Sequence, residues 1–186
     1  MTKVIVAGAA GRMGRRICDM VQQHSGLTLS AAFEQADSPF AGKDVGETAG
    51  FSPNGVTIAD SLEAVIGQGE VIIDFTSPKA TMDFIKVAAQ HGRAMVIGTT
   101  GLTAENLAEV RETAAACFPC VQAPNMAVGV NVLFKLTEKT AAVLGDAYDV
   151  EIVEAHHRMK KDAPSGTALK LGEMAAAGLG LSLIHI

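Results

Sequence analysis

The chain has 186 residues, enough for one ordinary domain or for one domain and part of a second. Hydrophobic residues make up 48% of it, sufficient for a core, and its formal net charge of −5 argues against a nucleic-acid binder, which needs a net basic face. No apolar run reaches the ~18 residues of a membrane span, and Met1-Thr2-Lys3 leads straight into a short strand with no secretory apolar stretch, so a cytoplasmic protein with no membrane partner is expected.

In chain order the pattern predicts alternating strands and helices. Residues 3–8 (KVIVAG) form an apolar strand ending in glycine, and 12–24 carry helical spacing with Ile17, Met20 and Val21 on one face. A second strand is expected over 27–34. Residues 35–54 hold Pro39, Gly42, Gly46, Gly50 and Pro53 with little periodicity, so they predict a surface excursion. It returns through a short strand at 56–58 and a helix at 62–66. Strand 71–76, helix 80–91, strand 94–98, helix 103–116 and strand 120–123 follow, with Thr103 as the N-cap of the last helix. Continuously apolar strands alternating with helices imply an α/β fold, a doubly wound parallel sheet covered on both faces.

Beyond that sheet, 126–144 predict a long amphipathic helix with Val130, Leu133, Phe134, Leu136 and Val143 as core candidates. Residues 150–155 predict a strand that opens a second, α+β domain. The last six residues, Leu181-Ser-Leu-Ile-His-Ile186, fit nothing before them. They back-translate as CTG TCT CTT ATA CAC ATC, the transposon mosaic end used in sequencing libraries, so adapter read-through is expected at 181–186.

Three cysteines are present. Cys117-Phe-Pro-Cys120 has the spacing of a redox motif, but no second ligand pair accompanies it, so a structural role is expected for it and for Cys18.

The chemistry concentrates in a few loops. Gly8-Ala9-Ala10-Gly11-Arg12-Met13-Gly14 follows a strand and opens a helix, the context of a dinucleotide-binding loop in a Gly-x-x-Gly-x-x-Gly variant. Gly8 permits the turn, Gly11 lets a pyrophosphate approach the backbone, and Gly14 lets the helix pack close. Glu34 lies twenty residues after Gly14 at a strand end, where an acid accepts bonds from ribose hydroxyls. Gln35 beside it has no charge for a 2′-phosphate, which leans the cofactor toward NADH, with Arg12 left as a cation that could serve NADPH. Phe75, then Gly98, Thr99 and Thr100, then Ala123, Pro124, Asn125 and Met126 close three later strands on the same rim.

The segment Glu154-Ala-His156-His157-Arg158-Met-Lys160-Lys161-Asp-Ala-Pro-Ser-Gly166-Thr167 gathers two imidazoles, three cations and a helix start. That set suits an anionic substrate that must also receive a proton, and alone it fits phosphate or carboxylate sites of many kinds. In an extended run the two rings point to opposite sides, so joint metal chelation is not expected and no metal is predicted. His24 and His91 are expected to be structural. Arg158 is expected to buttress the loop through Glu154 or Asp162.

Together these residues resemble the 4-hydroxy-tetrahydrodipicolinate reductase (dihydrodipicolinate reductase) family. The likeness rests on residues 6–14, 74–76, 96–101, Pro124-Asn125, Gly129-Val-Asn131, and the stretch from Glu154 to Thr167. The resemblance implies a Rossmann-type dinucleotide-binding domain at 1–125 and a C-terminally truncated substrate and tetramerisation domain at 126–180. It implies reduction of a cyclic imine dicarboxylate by NADH or NADPH in the diaminopimelate route to lysine, by a homotetramer when the protein is whole. His156 resembles the proton donor, Lys160 a second donor, and His157, Gly166 and Thr167 the substrate-binding set. Gly8, Ala9, Ala10, Gly11, Arg12, Met13, Glu34, Phe75, Gly98–Thr100 and Ala123–Met126 resemble the cofactor-binding set. The chain itself is expected to be poorly active, with an uncovered apolar face on 126–144 and an open edge on 150–155. The alternatives are another Rossmann oxidoreductase of amino-acid metabolism, such as a homoserine or aspartate dehydrogenase, and a non-catalytic dinucleotide-binding module. The His-His-x-x-Lys run with Ser-Gly-Thr speaks against the first, and retention of both proton-donor candidates against the second.

Overall fold

A computed structural model describes residues 1–158 and 163–181. The chain divides into two compact units, Met1–Gln122 and Ala123–Ile186.

The first unit is a six-stranded parallel sheet of β1 (Thr2–Ala7), β2 (Leu27–Phe33), β3 (Ile58–Ala59), β4 (Val71–Asp74), β5 (Ala94–Ile97) and β6 (Cys120–Gln122), in spatial order β3-β2-β1-β4-β5-β6. Helices α1 (Arg12–Gln23), α3 (Pro78–His91) and α4 (Ala104–Cys117) connect the strands, and α2 (Val45–Ala49) interrupts the excursion between β2 and β3. This is the doubly wound order, whose direction reverses between β1 and β4.

Both faces of the sheet are buried at β1 and β2, whereas Val121 on the edge strand β6 is exposed. Along β1, Val4 and Val6 pack with Cys18 and Val21 of α1, while Ile5 and Ala7 pack with Ile85 of α3 and Val110 of α4. β2 obeys the same alternation except at one place: Val4 pairs Leu29 but Ile5 pairs Ala31. Ser30 is the extra residue, and its hydroxyl donates to the Val4 carbonyl at 3.0 Å. Past this bulge, Phe33 falls on the α3 side and Ala32 on the α1 side.

Caps set the helix starts. Ser77 accepts from the Ala80 amide with Pro78 in the first turn, and Thr103 forms a capping box with Asn106. In the excursion, the Asp44 carboxylate accepts four backbone N–H groups, from Gly46, Glu47, Asn54 and Gly55 at 2.7–3.3 Å. One carboxylate thereby organises a segment that lacks hydrophobic periodicity. Phe40 in the same segment lies under the cations of both Arg15 and Lys43.

Two expectations in this unit need correction. Residues 62–66 form turns that end in a 3₁₀ turn at Ile66–Gln68, because Leu62, Val65 and Ile66 all turn into the core within five residues. The returning strand is Ile58–Ala59, slightly later than 56–58, since only there does it meet Ala32 and Phe33.

In the second unit α5 (Val128–Leu144) packs against α6 (Gly166–Gly178). A Cβ at Gly178 would stand 2.3 Å from the Glu138 carbonyl, so glycine sets the closeness of this crossing. Of the proposed α5 core, Phe134 is buried, while Leu133, Leu136 and Val143 are exposed. Residues 150–155 form no strand among the described residues, because no partner strand takes up their backbone hydrogen bonds. Among the described residues no helix is long and apolar enough to cross a membrane.

Candidate active site

The first unit holds a cleft of about 700 Å³ at the carboxyl ends of β1, β2 and β4, where the strand order reverses. Gly8, Gly11, Glu34, Gln35 and Phe75 line it, together with Thr76, Asp60, Glu63, Lys79 and Asp83.

The glycines fit the demands of a close loop. Gly8 has φ +61°, and a Cβ there would meet the Thr76 methyl at 2.9 Å. A Cβ at Gly14 would fall 2.0 Å from the Gly8 carbonyl oxygen. Gly11 caps α1 without a side chain, and the first turn carries no acid. The first-turn amides therefore face outward with neither a side-chain cap nor a repelling charge, as an anion such as a pyrophosphate requires. Arg12 and Met13 are exposed on that turn, Ala9 is buried, and Ala10 is half-buried.

Glu34 follows β2 directly. Its Oε1 accepts the Ala10 amide at 2.8 Å, which anchors the glycine loop to the second strand. Arg15 completes the arrangement by donating from Nε to the Ala10 carbonyl at 2.8 Å.

The ends of β4 and β5 form one connected rim. Asp74 is fully buried and accepts from the Thr76 amide (3.0 Å), the Thr76 hydroxyl (2.6 Å) and the Thr81 hydroxyl (2.5 Å). The Thr99 hydroxyl also accepts from the Thr76 amide, at 3.0 Å. The Phe75 ring occupies the space that a side chain on Gly98 would need. Phe75, Gly98 and Thr99 are thus brought together, while Thr100 is exposed beyond them. Sequence reading did not assign Asp74, Thr76 and Thr81 this role. The signal available was a carboxylate ending an otherwise apolar strand, followed by threonines two and seven residues on.

The remaining candidates lie in the second unit. Asn125 donates from Nδ2 to the Thr167 hydroxyl at 3.3 Å and accepts the Ala127 amide at 2.9 Å. Asn131 donates to the Asn125 and Ala127 carbonyls. Thr167 sits in the first turn of α6, after Ser165, whose hydroxyl accepts from the Ala168 amide at 3.1 Å. Gly166 and Thr167 therefore present first-turn amides, suited to a carboxylate. His156 and His157 are exposed. The Glu154 carboxylate has Oε2 3.3 Å from His156 Nδ1, and its Oε1 accepts the Ser165 amide at 2.8 Å. The sequence pairs Glu154 only with Arg158, and its place beside His156 is a contact that spacing does not reveal. Lys160 lies outside the described residues, as do Lys161, Asp162 and most of the 181–186 tail. Among the described residues, no group of three or more His, Cys, Asp or Glu side chains is placed to hold a metal ion.

With this geometry in hand, comparisons with known proteins place the chain. A family profile described as "Dihydrodipicolinate reductase, N-terminus" matches residues 2–126, and one described as "Dihydrodipicolinate reductase, C-terminus" matches 129–182. The 4-hydroxy-tetrahydrodipicolinate reductase of Desulfotalea psychrophila is 61% identical over 186 residues, covering 100% of this chain and 69% of that protein. The same-named protein of Syntrophus aciditrophicus is 50% identical over the same length and coverage. The solved dipicolinate-bound dihydrodipicolinate reductase from Paenisporosarcina sp. TG-14 is 33% identical with a TM-score of 0.70, covering 95% of this chain and 66% of that one. The chain thus spans about two thirds of the length of each.

Proposed function

The chain belongs to the dihydrodipicolinate reductase family, and from that membership we propose that it serves the reduction of 4-hydroxy-tetrahydrodipicolinate to tetrahydrodipicolinate, in the diaminopimelate route to lysine. The observation that carries the proposal is the presence on one chain of both halves of the chemistry. The first profile covers the glycine loop and Glu34, and the second covers His156 and the start of α6.

The reduced nicotinamide cofactor supplies the hydride when bound. The chain's own residues do the rest. The first turn of α1 binds the pyrophosphate, and Glu34 accepts from the adenosine ribose. Phe75, Gly98, Thr99 and Thr100 shape the nicotinamide end, and Ala123–Met126 carry over from the family resemblance as further cofactor-binding residues. His157, Gly166 and Thr167 hold the substrate's carboxylates. His156 delivers the proton that balances the hydride, and Lys160 is the second donor and an attracting charge.

The cofactor reading leans to NADH. Gln35 brings no cation to a 2′-phosphate, and among the described residues the cleft is lined by Glu34, Asp60, Glu63 and Asp83 against the cation Lys79. A cytoplasmic homotetramer of the complete protein belongs to the same proposal.

The test is oxidation of NADH by the product of the complete reading frame, with freshly prepared substrate. Substrate-dependent oxidation is expected. Cofactor binding without such oxidation would favour a non-catalytic dinucleotide module and overturn the reductase reading.

A further inference from the structure

The segment before α6 contains a contact that none of the site roles explains. Glu154 and His156 are two residues apart, the spacing that puts side chains on one side of an extended run. Their side chains meet, with Nδ1 and Oε2 3.3 Å apart. The other carboxylate oxygen accepts the backbone N–H of Ser165, eleven residues later. Ser165 is buried and is the N-cap of α6. In a capping box, an acid three residues into the helix reaches back to the N-cap amide. Here that position is Ala168, and Glu154 supplies the missing acceptor from upstream.

We propose that Glu154 is a positioning residue for His156, one that fixes the tautomer of the imidazole and ties the ring to the start of α6. The proposal deepens the reading of His156 as proton donor and rests on it for its meaning in turnover.

An ionised carboxylate only accepts hydrogen bonds, whereas a neutral imidazole has one donor and one acceptor nitrogen. Glu154 beside Nδ1 therefore selects the form with its proton on Nδ1 and leaves Nε2 to exchange. The proton step balances on that basis. In the imidazolium both nitrogens carry protons. The Nε2–H bond breaks as the anion left by hydride addition takes the proton, and neutral imidazole remains with Nδ1–H against Glu154. The form left after transfer is the form the carboxylate holds. Without the carboxylate, nothing accepts from Nδ1–H in the form left after transfer, and the ring is free to turn Nε2 away from the substrate. The second oxygen, on the Ser165 amide, couples ring orientation to the helix whose first-turn amides are assigned to a substrate carboxylate.

A purely structural role in capping α6 makes a different prediction, and Glu154→Gln separates the two. The carboxamide oxygen still accepts the Ser165 amide, so the helix start is kept. Its NH₂ then faces Nδ1 and donates, which forces Nδ1 to accept and moves the ring proton to Nε2.

The readout is the long-range ¹H–¹⁵N spectrum of the histidine-labelled chain at alkaline pH, where imidazoles are neutral. His156 is identified by its loss in a His156→Gln variant. The expected result is a protonated, pyrrole-type Nδ1 in the native chain, an unprotonated, pyridine-type Nδ1 in E154Q, and a pyrrole-type Nδ1 again in Glu154→Asp. A pyridine-type Nδ1 in the native chain overturns the proposal even if every variant fails to fold, and so does a tautomer unchanged in folded E154Q. In the product of the complete reading frame, E154Q is expected to lower kcat by at least about tenfold with KM and NADH affinity nearly unchanged. A matching loss in both would assign Glu154 to the fold alone. Absence of any reductase activity in the native protein would instead count against the functional reading, while the spectra still decide the role of Glu154.

Discussion

The ring of Phe75 fills the place where a side chain on residue 98 would stand: a Cβ added to Gly98 would lie 2.1 Å from Phe75 Cε1. Two loops from adjacent strands are thus keyed to each other at the proposed nicotinamide end. Gly98→Ala must displace the ring, an overpacking cost of roughly 1–3 kcal/mol. Denaturant unfolding should show that loss, and titration with NADH should show binding weakened by about tenfold, or ~1.4 kcal/mol. Unchanged values for both would mean that the Phe75 ring moves aside freely.

The cofactor preference rests on the end of β2. Native protein is expected to bind NADH more tightly than NADPH, measured by fluorescence titration of each. Gln35→Arg should reverse or narrow that difference, because a guanidinium pairs with a phosphate. Glu34→Ala should weaken NADH by about tenfold, ~1.4 kcal/mol, since it removes both the ribose acceptor and the anchor of the Ala10 amide. Tighter binding of NADPH by the native protein would reject the preference.

Acid should act on the excursion between β2 and β3 through Asp44. Partial desolvation pushes the Asp44 carboxyl up, but the amides of Asn54, Gly55, Glu47 and Gly46 outweigh it and hold the group below the ordinary carboxylate range. A carboxylate lowered in the folded state stabilises that state fully above its unfolded value of about 3.9, and the benefit fades as pH falls through the lowered folded value. Asp44→Asn should therefore lower Tm at neutral pH, with the gap from the native chain closing as pH drops below about 4. A gap that is constant across that range would remove the carboxylate charge from the explanation.

Thiol chemistry should separate the three cysteines. Cys18 is buried between α1 and the sheet, and burial pushes its thiol up to about 12. Burial also raises the Cys120 thiol, while Cys117 is exposed. Mild alkylation followed by peptide mass mapping should mark Cys117 first, Cys120 more slowly, and Cys18 only on unfolding. Early labelling of Cys18 would mean that α1 opens from the sheet.

In the complete protein, His156→Ala should reduce kcat by about 10²- to 10⁴-fold, the usual span for general acid–base groups. NADH affinity should change far less, since His156 is assigned to the proton. Equal losses in turnover and cofactor binding would contradict that assignment.

Much of this molecule is readable from its sequence, for physical reasons that vary by segment. The parallel sheet is legible because strands such as Val4–Ala7 are apolar on both faces and end at glycines. The cap at Thr103 is legible because it needs only a hydroxyl at one position. Helix α2 is not, because it is held by one carboxylate collecting amides ten and eleven residues away, a pattern without periodicity. The strand expected at 150–155 fails for a related reason: apolar alternation signals willingness to pair, and pairing needs a second strand. In the candidate site, the glycine loop and Glu34 follow a known spacing, whereas the Asp74 threonine network and the Glu154–His156 contact depend on contacts that spacing does not reveal.

The bulge at Ser30 has a bearing on chemistry that a count along the chain conceals. Side chains on a strand have a phase, and one inserted residue inverts it for everything downstream. Counted on from Leu29 in strict alternation, with Ser30 as an ordinary strand residue, residue 34 would face the α3 side. With Ser30 bulged out of the pairing, Phe33 takes that side and Glu34 is delivered to the Ala10 amide. Two chains with the same acid at nearly the same distance from the glycines would then differ in whether the acid reaches the loop at all. The hydroxyl that secures the extra residue on the Val4 carbonyl works as an index pin, setting from within the strand the direction in which its last carboxylate points.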